Sequence, residues 1–201
     1  PFDRPSLYFQ PPAAARDDFS AFLQGLWPEA RAAGVSRGTF DAAFAGLKPD
    51  PSVVAQTRKQ SEFIRPIWDY VDGAVTGNRV SRGRGMAGEW ADTIAAVEGR
   101  YGVDRRAFMG IWGMETSYGG FFGGHSVIRA LATLAHVRYR DDFFRKELIT
   151  ALVILEQGHV DRSVMRGSWA GAMGHTQFMP SSFMKHAVDH NNDGHKDIWG
   201  T

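Results

Sequence analysis

Glu115 lies in the run Gly110-Ile-Trp-Gly-Met-Glu-Thr-Ser-Tyr-Gly-Gly120, just before a glycine-rich break. At 3.6 residues per turn, Phe108, Ile111, Trp112 and Glu115 fall at i, i+3, i+4 and i+7, so the carboxyl is expected to share a helix face with three large apolar side chains. A carboxyl held against an apolar wall keeps its proton to higher pH, which is what a general acid working near neutrality needs. The glycines that follow should end the helix and leave that carboxyl at the lip of a cleft. A helix end fraying into water would be the plainer explanation of a single Glu, so the surrounding residues decide.

Two further segments depart from helix-making composition. Glycines at 167, 171 and 174 let backbone come close to a ligand, and Ser168, Gln177 and Ser181 offer hydrogen bonds without fixed charge. Such a surface suits a sugar better than a phosphate. Trp112, Tyr118, Phe121, Phe122 and Trp169 are flat faces on which a pyranose can stack; Tyr118 and Phe121, in the glycine-rich turn, are expected in the cleft, and Trp112 in the core. Further on, Asp189, Asn191, Asp193, His195 and Asp197 occupy positions 1, 3, 5, 7 and 9 of an EF-hand-like calcium loop, with Gly194 at the sharp sixth position. Position 12, normally a bidentate carboxylate, is Gly200, so the expectation is a weak calcium site or an Asx-rich turn bonded to itself. The seven histidines show no His-Glu-x-x-His spacing, which argues against a catalytic zinc.

Helices must position these groups. Residues 1–16 hold four of the nine prolines and read as an extended lead-in in which Leu7 to Gln10 resembles part of a protease tag. From Asp18 the spacing predicts a helix with Phe19, Phe22, Leu23 and Leu26 on one stripe before Pro28, and Ser36 opens a second with Phe40 and Phe44. A third stretch over 53–75 places Phe63, Ile67 and Val71 in register, with Pro66 as a kink or restart. The glycine- and arginine-rich stretch 73–88 reads as a boundary or the start of the next helix. Trp90, Ile94, Val97 and Tyr101 repeat at helical spacing, Asp104 caps the segment bearing Glu115, and two apolar helices follow at Val127–Leu134 and Phe144–Leu155. The expected organisation is a mainly α chain: a lead-in (1–16), a helical lobe (17–85) and a catalytic core (86–201). A net charge of +1 does not suggest a nucleic-acid partner, and the absence of cysteine removes disulfides and thiol catalysis. No apolar run is long enough to span a bilayer as a helix, and no secretory signal is evident at the N-terminus.

Four motifs in order, Glu115-Thr-Ser-Tyr-Gly119, Gly167-Ser-Trp-Ala-Gly-Ala-Met-Gly174, Gln177-Phe-Met-Pro-Ser-Ser182, and Ala187-Val-Asp through Asp193-Gly-His to Ile198-Trp, resemble the bacterial membrane-bound lytic murein transglycosylase B family from about Gln60 onward. The resemblance implies a lysozyme-like helical core beside a helical lobe. It also implies non-hydrolytic cleavage of the MurNAc-GlcNAc bond of peptidoglycan to 1,6-anhydroMurNAc ends. Glu115 would then be the single acid/base, with the substrate's 2-acetamido group assisting. By motif position, Ser168 and Gln177 would bind near the reacting sugar, with Ser117, Tyr118, Phe121 and Met179 also in the substrate site. No cofactor would be required, and a structural calcium ion would occupy the 189–197 loop of some members. The partners implied are glycan strands and other cell-wall enzymes, met as a monomer in the periplasm or at the cell envelope, with a membrane anchor on some precursors. The family's core continues beyond position 201, so this chain is expected to be a C-terminally short core. Three other readings stand beside this one: a lysozyme-type hydrolase using Glu147, Glu156 or Asp161 as second carboxylate, a non-catalytic peptidoglycan-binding or scaffold module, and a calcium-sensing module. His175, between two of the motifs, is expected to touch substrate or face water.

Overall fold

A computed structural model describes residues 13–58 and 66–200. The lead-in, Phe63 and the side chains before Asp18 lie outside what is described. Eleven helices form among the described residues: α1 (Ala13–Gly25), α2 (Trp27–Ala32), α3 (Arg37–Phe44), α4 (Pro51–Gln56), α5 (Ile67–Ala74), α6 (Gly77–Glu89), α7 (Ala91–Tyr101), α8 (Arg105–Thr116), α9 (Val127–His136), α10 (Phe143–Glu156) and α11 (Pro180–His186). Two short strands, β1 (His125–Ser126) and β2 (Arg166–Gly167), pair antiparallel, His125 opposite Gly167.

Local chemistry explains most boundaries. Ser36 accepts a bond from the Thr39 amide, Asp50 from Ser52, Thr76 from Arg79 and Asp104 from Arg106, each satisfying an otherwise orphaned N–H at a helix start. Pro28 falls in the first turn of α2, where its missing N–H costs nothing, and Pro66 caps α5. The stretch from 77 to 89 is helical throughout in spite of its glycines. One of them, Gly83, is buried for a reason given below.

The core is centred on α9 and α10. Val127, Ile128, Leu131 and Leu134 are fully buried, as are Leu148, Leu152 and Ile154. Phe19, Leu23, Leu26, Phe40 and Val53 of α1 to α4 join this same hydrophobic cluster, so the core is continuous from the first helices to Phe183 of α11. Burying a side chain of this kind is worth about 1.5–3 kcal/mol. Helices α6 to α8 pack chiefly on one another at the side of this core and carry Glu115.

One buried charge locks α11 in place. Glu147 of α10 is only 4% exposed, and its carboxylate accepts from the Ser181 amide (2.9 Å) and hydroxyl (2.6 Å) at the start of α11. Glu147→Ala strands both donors, and loss of hydrogen bonds to a buried charged group should cost about 3 kcal/mol. Thermal denaturation is expected to show a fall of roughly 6–12 °C for a domain of this size. A shift within 1–2 °C, roughly the size of a neutral surface change, would refute the lock.

Candidate active site

Helix α8 is anchored at its start by Asp104 and by a pair between Arg105 and Glu98 (Nε to Oε2, 2.8 Å). Its buried side is Met109, Gly113 and Thr116, while Ile111 is 60% exposed and Glu115 is also exposed. The apolar face expected to carry Glu115 is therefore not the packed one. The reason is Tyr118. Its ring wedges between α6 and α8: a β-carbon on Gly83 would stand 2.3 Å from the Tyr118 hydroxyl, and one on Gly113 would stand 2.6 Å from it. Two glycines form the slot for this ring, so small residues mark the inward side of α8.

The chain leaves α8 through three consecutive left-handed residues, Ser117 (φ 50°), Tyr118 (φ 58°) and Gly119 (φ 74°). Non-glycine residues in this region cost on the order of 1–3 kcal/mol each and cluster at functional sites. Thr116 secures the turn, its hydroxyl accepting from the Gly119 amide (3.0 Å) and donating to the His175 carbonyl (3.2 Å). The result is a carboxyl standing free at the end of a braced helix.

The turn opens onto a cleft of 270 Å³ lined by Glu115, Phe121, Phe122, Gly123, Gly124, His125, Ser168, Trp169 and Gln177. The β1–β2 pairing brings 123–126 against 166–168, and bridges from Met173 to Gly167 and Phe178 fold the next loop back so that Gln177 joins it. Gln177 is itself left-handed (φ 48°). Its Nε2 donates to the carbonyls of Phe122 and Gly174, both at 3.0 Å, leaving its Oε1 as the open acceptor. The Ser168 oxygen accepts from the amides of Ala170 (3.3 Å) and Ala172 (3.1 Å), which leaves its O–H proton to be given away.

Of the residues expected at the site, Glu115, Phe121, Ser168 and Gln177 thus meet in one cleft. Three others lie elsewhere among the described residues. Tyr118 is the wedge under α8, Ser117 is its left-handed cap, and Met179 precedes α11 and packs against the core. The sequence reading overlooked His125, which lines the cleft with its Nδ1 3.6 Å from Asp50 Oδ2. Burial works to raise the Asp50 pKa, but bonds from Ser52 and the nearby Arg129 and His125 together hold it below the ordinary value. Only a chain fold joins residues 75 positions apart, so no local spacing announces this pair.

Glu115 is the sole acid among the cleft-lining residues. Glu147 is committed to Ser181, Glu156 accepts from the Ser36 amide (3.0 Å) and hydroxyl (2.8 Å), and Asp161 caps Ser163. A larger hollow of 610 Å³ between α7 and α8 is mainly apolar, with His175 and Asp197 as its titratable groups. In the 189–200 loop, Asp189 accepts from the amides of Asp193 (3.2 Å) and Gly194 (2.8 Å), Asn191 bonds Asp193, and Asp197 caps Trp199. No cluster of three acidic or histidine side chains able to hold a metal forms among the described residues.

Residues 18–201 match the family model described as the transglycosylase SLT domain. The chain belongs to that family. It is 36% identical over 126 residues to the membrane-bound lytic murein transglycosylase B of Escherichia coli K12, a match covering 62% of this chain and 35% of that protein. SltB3 of Pseudomonas aeruginosa, solved with a NAG-NAM-pentapeptide, superposes with a TM-score of 0.88 at 46% identity over 91% of this chain and 49% of its own. The Escherichia coli lytic transglycosylase Slt35, solved with calcium, gives a TM-score of 0.77 at 30% identity over 92% and 58% respectively. The mainly α fold is thus the lysozyme-like one of these transglycosylases, and the chain spans only 35%, 49% and 58% of the lengths of these three relatives.

Proposed function

We propose that this chain is the catalytic part of a peptidoglycan lytic transglycosylase. The observation that carries the reading is the cleft itself: one acid beside a pair of groups whose unused hydrogen-bonding capacity is one donor and one acceptor. A secondary amide offers the complement. The Ser168 hydroxyl can donate to the carbonyl of a 2-acetamido group while Gln177 Oε1 accepts its N–H. Held this way, the acetamido carbonyl can support positive charge at C1 from within the substrate, the role a second carboxylate plays in most glycosidases.

Glu115 then serves both halves of the reaction. As the acid it protonates the glycosidic oxygen, and the bond from that oxygen to C1 breaks. As the carboxylate it takes the proton from the sugar's 6-hydroxyl while O6 bonds to C1, closing a 1,6-anhydro ring. No water is consumed. Exposed as it is, Glu115 needs the substrate, stacked on Phe121 and Trp169, to exclude solvent around it.

Mass spectrometry of soluble products from purified peptidoglycan tests this: anhydromuropeptides are expected, and reducing ends would indicate a hydrolase instead. Ser168→Ala and Gln177→Ala should each lower the rate roughly tenfold or more, the loss of a hydrogen bond worth about 1–2 kcal/mol. Unchanged rates in both would break the acetamido assignment. The natural setting of the reading is the cell envelope, with the chain acting as a monomer on glycan strands. Among the described residues no helix is long and apolar enough to cross a membrane. For the 189–200 loop we propose calcium binding no tighter than the 10⁻⁴–10⁻³ M class of extracellular modules, roughly. Calcium at micromolar concentration should then leave the melting temperature unmoved, and a micromolar saturable rise would overturn that assignment.

A further inference from the structure

His175 does not line the cleft with Glu115; it lines the larger hollow between α7 and α8. It is half-buried, and its Nδ1 accepts from the Trp112 indole Nε1–H at 2.9 Å. An indole N–H can only donate, so Nδ1 must be bare and the neutral ring carries its proton on Nε2. The residue's backbone is engaged as well: its amide donates to the Ile198 carbonyl (2.8 Å) and its carbonyl accepts from the Thr116 hydroxyl (3.2 Å). The ring occupies space left by the missing side chain of Gly119, where a β-carbon would stand 2.1 Å from Cε1, and it meets the Phe122 ring at 4.6 Å. Trp112 and Thr116 bracket Glu115 on α8, and Gln177 follows His175 by two positions. One imidazole therefore joins the helix end that aims the acid to the loop that holds the amide clamp.

We propose that neutral His175 is a positioning residue that fixes the Glu115 turn relative to Gln177, and that protonation of its Nδ1 at acid pH releases Trp112 and uncouples the two. This rests on Glu115 being the acid/base, as proposed above. The charge facing the ring is Asp197, which favours the proton. Among the other titratable groups of the adjoining elements are Glu115 on α8, Tyr118 in the turn and Arg82 of α6, whose guanidinium lies over Gly120. Burial outweighs Asp197 and holds His175 below its ordinary value of 6.5. Because the folded pKa is depressed, the coupling is complete above that ordinary value and is lost as pH falls through the lowered one.

Two variants separate positioning from mere packing. His175→Asn keeps an acceptor near Nδ1 but does not titrate in this range; His175→Phe keeps the ring volume and removes the acceptor. Both are first checked for an unchanged melting temperature. In His175→Phe, amide hydrogen exchange at 117–121 should quicken about tenfold or more, and kcat on peptidoglycan should fall roughly 10- to 100-fold with KM little changed, the penalty of a misplaced catalytic group. His175→Asn should restore kcat to within about threefold and remove one acid-side ionisation from the pH profile. The Trp112 indole N–H resonance should move with the titration of His175 in the parent chain only. Unaltered exchange and kcat in His175→Phe, or equal losses in both variants, would overturn the proposal. A parent chain that yields no anhydro product would instead defeat the acid/base reading, and the exchange and indole measurements would still decide the coupling.

Discussion

Peptidoglycan incubated with the Glu115→Gln chain is expected to release no measurable anhydromuropeptide, while binding to the insoluble glycan is retained. The substitution keeps size and shape but removes the one carboxyl group among the residues lining the cleft. General acid–base catalysis contributes roughly 100- to 10,000-fold, and Glu115 is asked to act in both bond breaking and ring closure, so the loss belongs at the upper end. Since the side chain is exposed and makes no packing contact in the core cluster, the melting temperature should not move. Residual activity above about a tenth of the parent would remove Glu115 from the acid/base role. If parent and variant alike bound glycan but released nothing, the chain would be a binding module.

Much of this site was legible because glycine and residue type carry strong local signals. The glycine-rich break after Glu115, the Ser36 and Asp104 caps and the loops around Ser168 and Gln177 all follow from short-range chemistry. The orientation of α8 did not follow, because helical periodicity assumes that the largest apolar residues face inward. Here the inward face is set by a partner, the Tyr118 ring, that needs Gly83 and Gly113 to make room. The same ring accounts for the glycine at position 83 of helix α6, and an aromatic expected to stack on sugar is a wedge beneath the acid. Glu147 shows the converse. By residue type it is a candidate second catalytic acid, and only the tertiary fold reveals that it is buried on Ser181. His125 and Asp50 meet across the fold and leave no pattern in sequence.

Gly123→Ala should be the most damaging single-methyl change in the cleft. Gly123 has φ 103°, a conformation that side chains rarely adopt, and a β-carbon there would lie 2.0 Å from the Gly167 carbonyl oxygen and 2.6 Å from the Ser168 amide nitrogen. Backbone cannot rotate aside as a flexible side chain can, so either the β1–β2 pairing opens or the 123–125 segment shifts. Strain and lost pairing together should cost about 3 kcal/mol, roughly 6–12 °C in melting temperature. The effect on rate should be larger still. Gly123, Ser168 and Glu115 line the same cleft, and a displacement on the order of 1 Å of a positioned group can cost 100-fold. Gly110→Ala is the matched control, because nothing lies within 4 Å of its would-be β-carbon on α8. There alanine should stabilise by roughly 0.5–1 kcal/mol through helix propensity. Equal stability and turnover in the Gly123 and Gly110 variants would mean that the close approach of the two backbones does not shape the cleft, and the placement of Ser168 in the same cleft as Glu115 would need another origin.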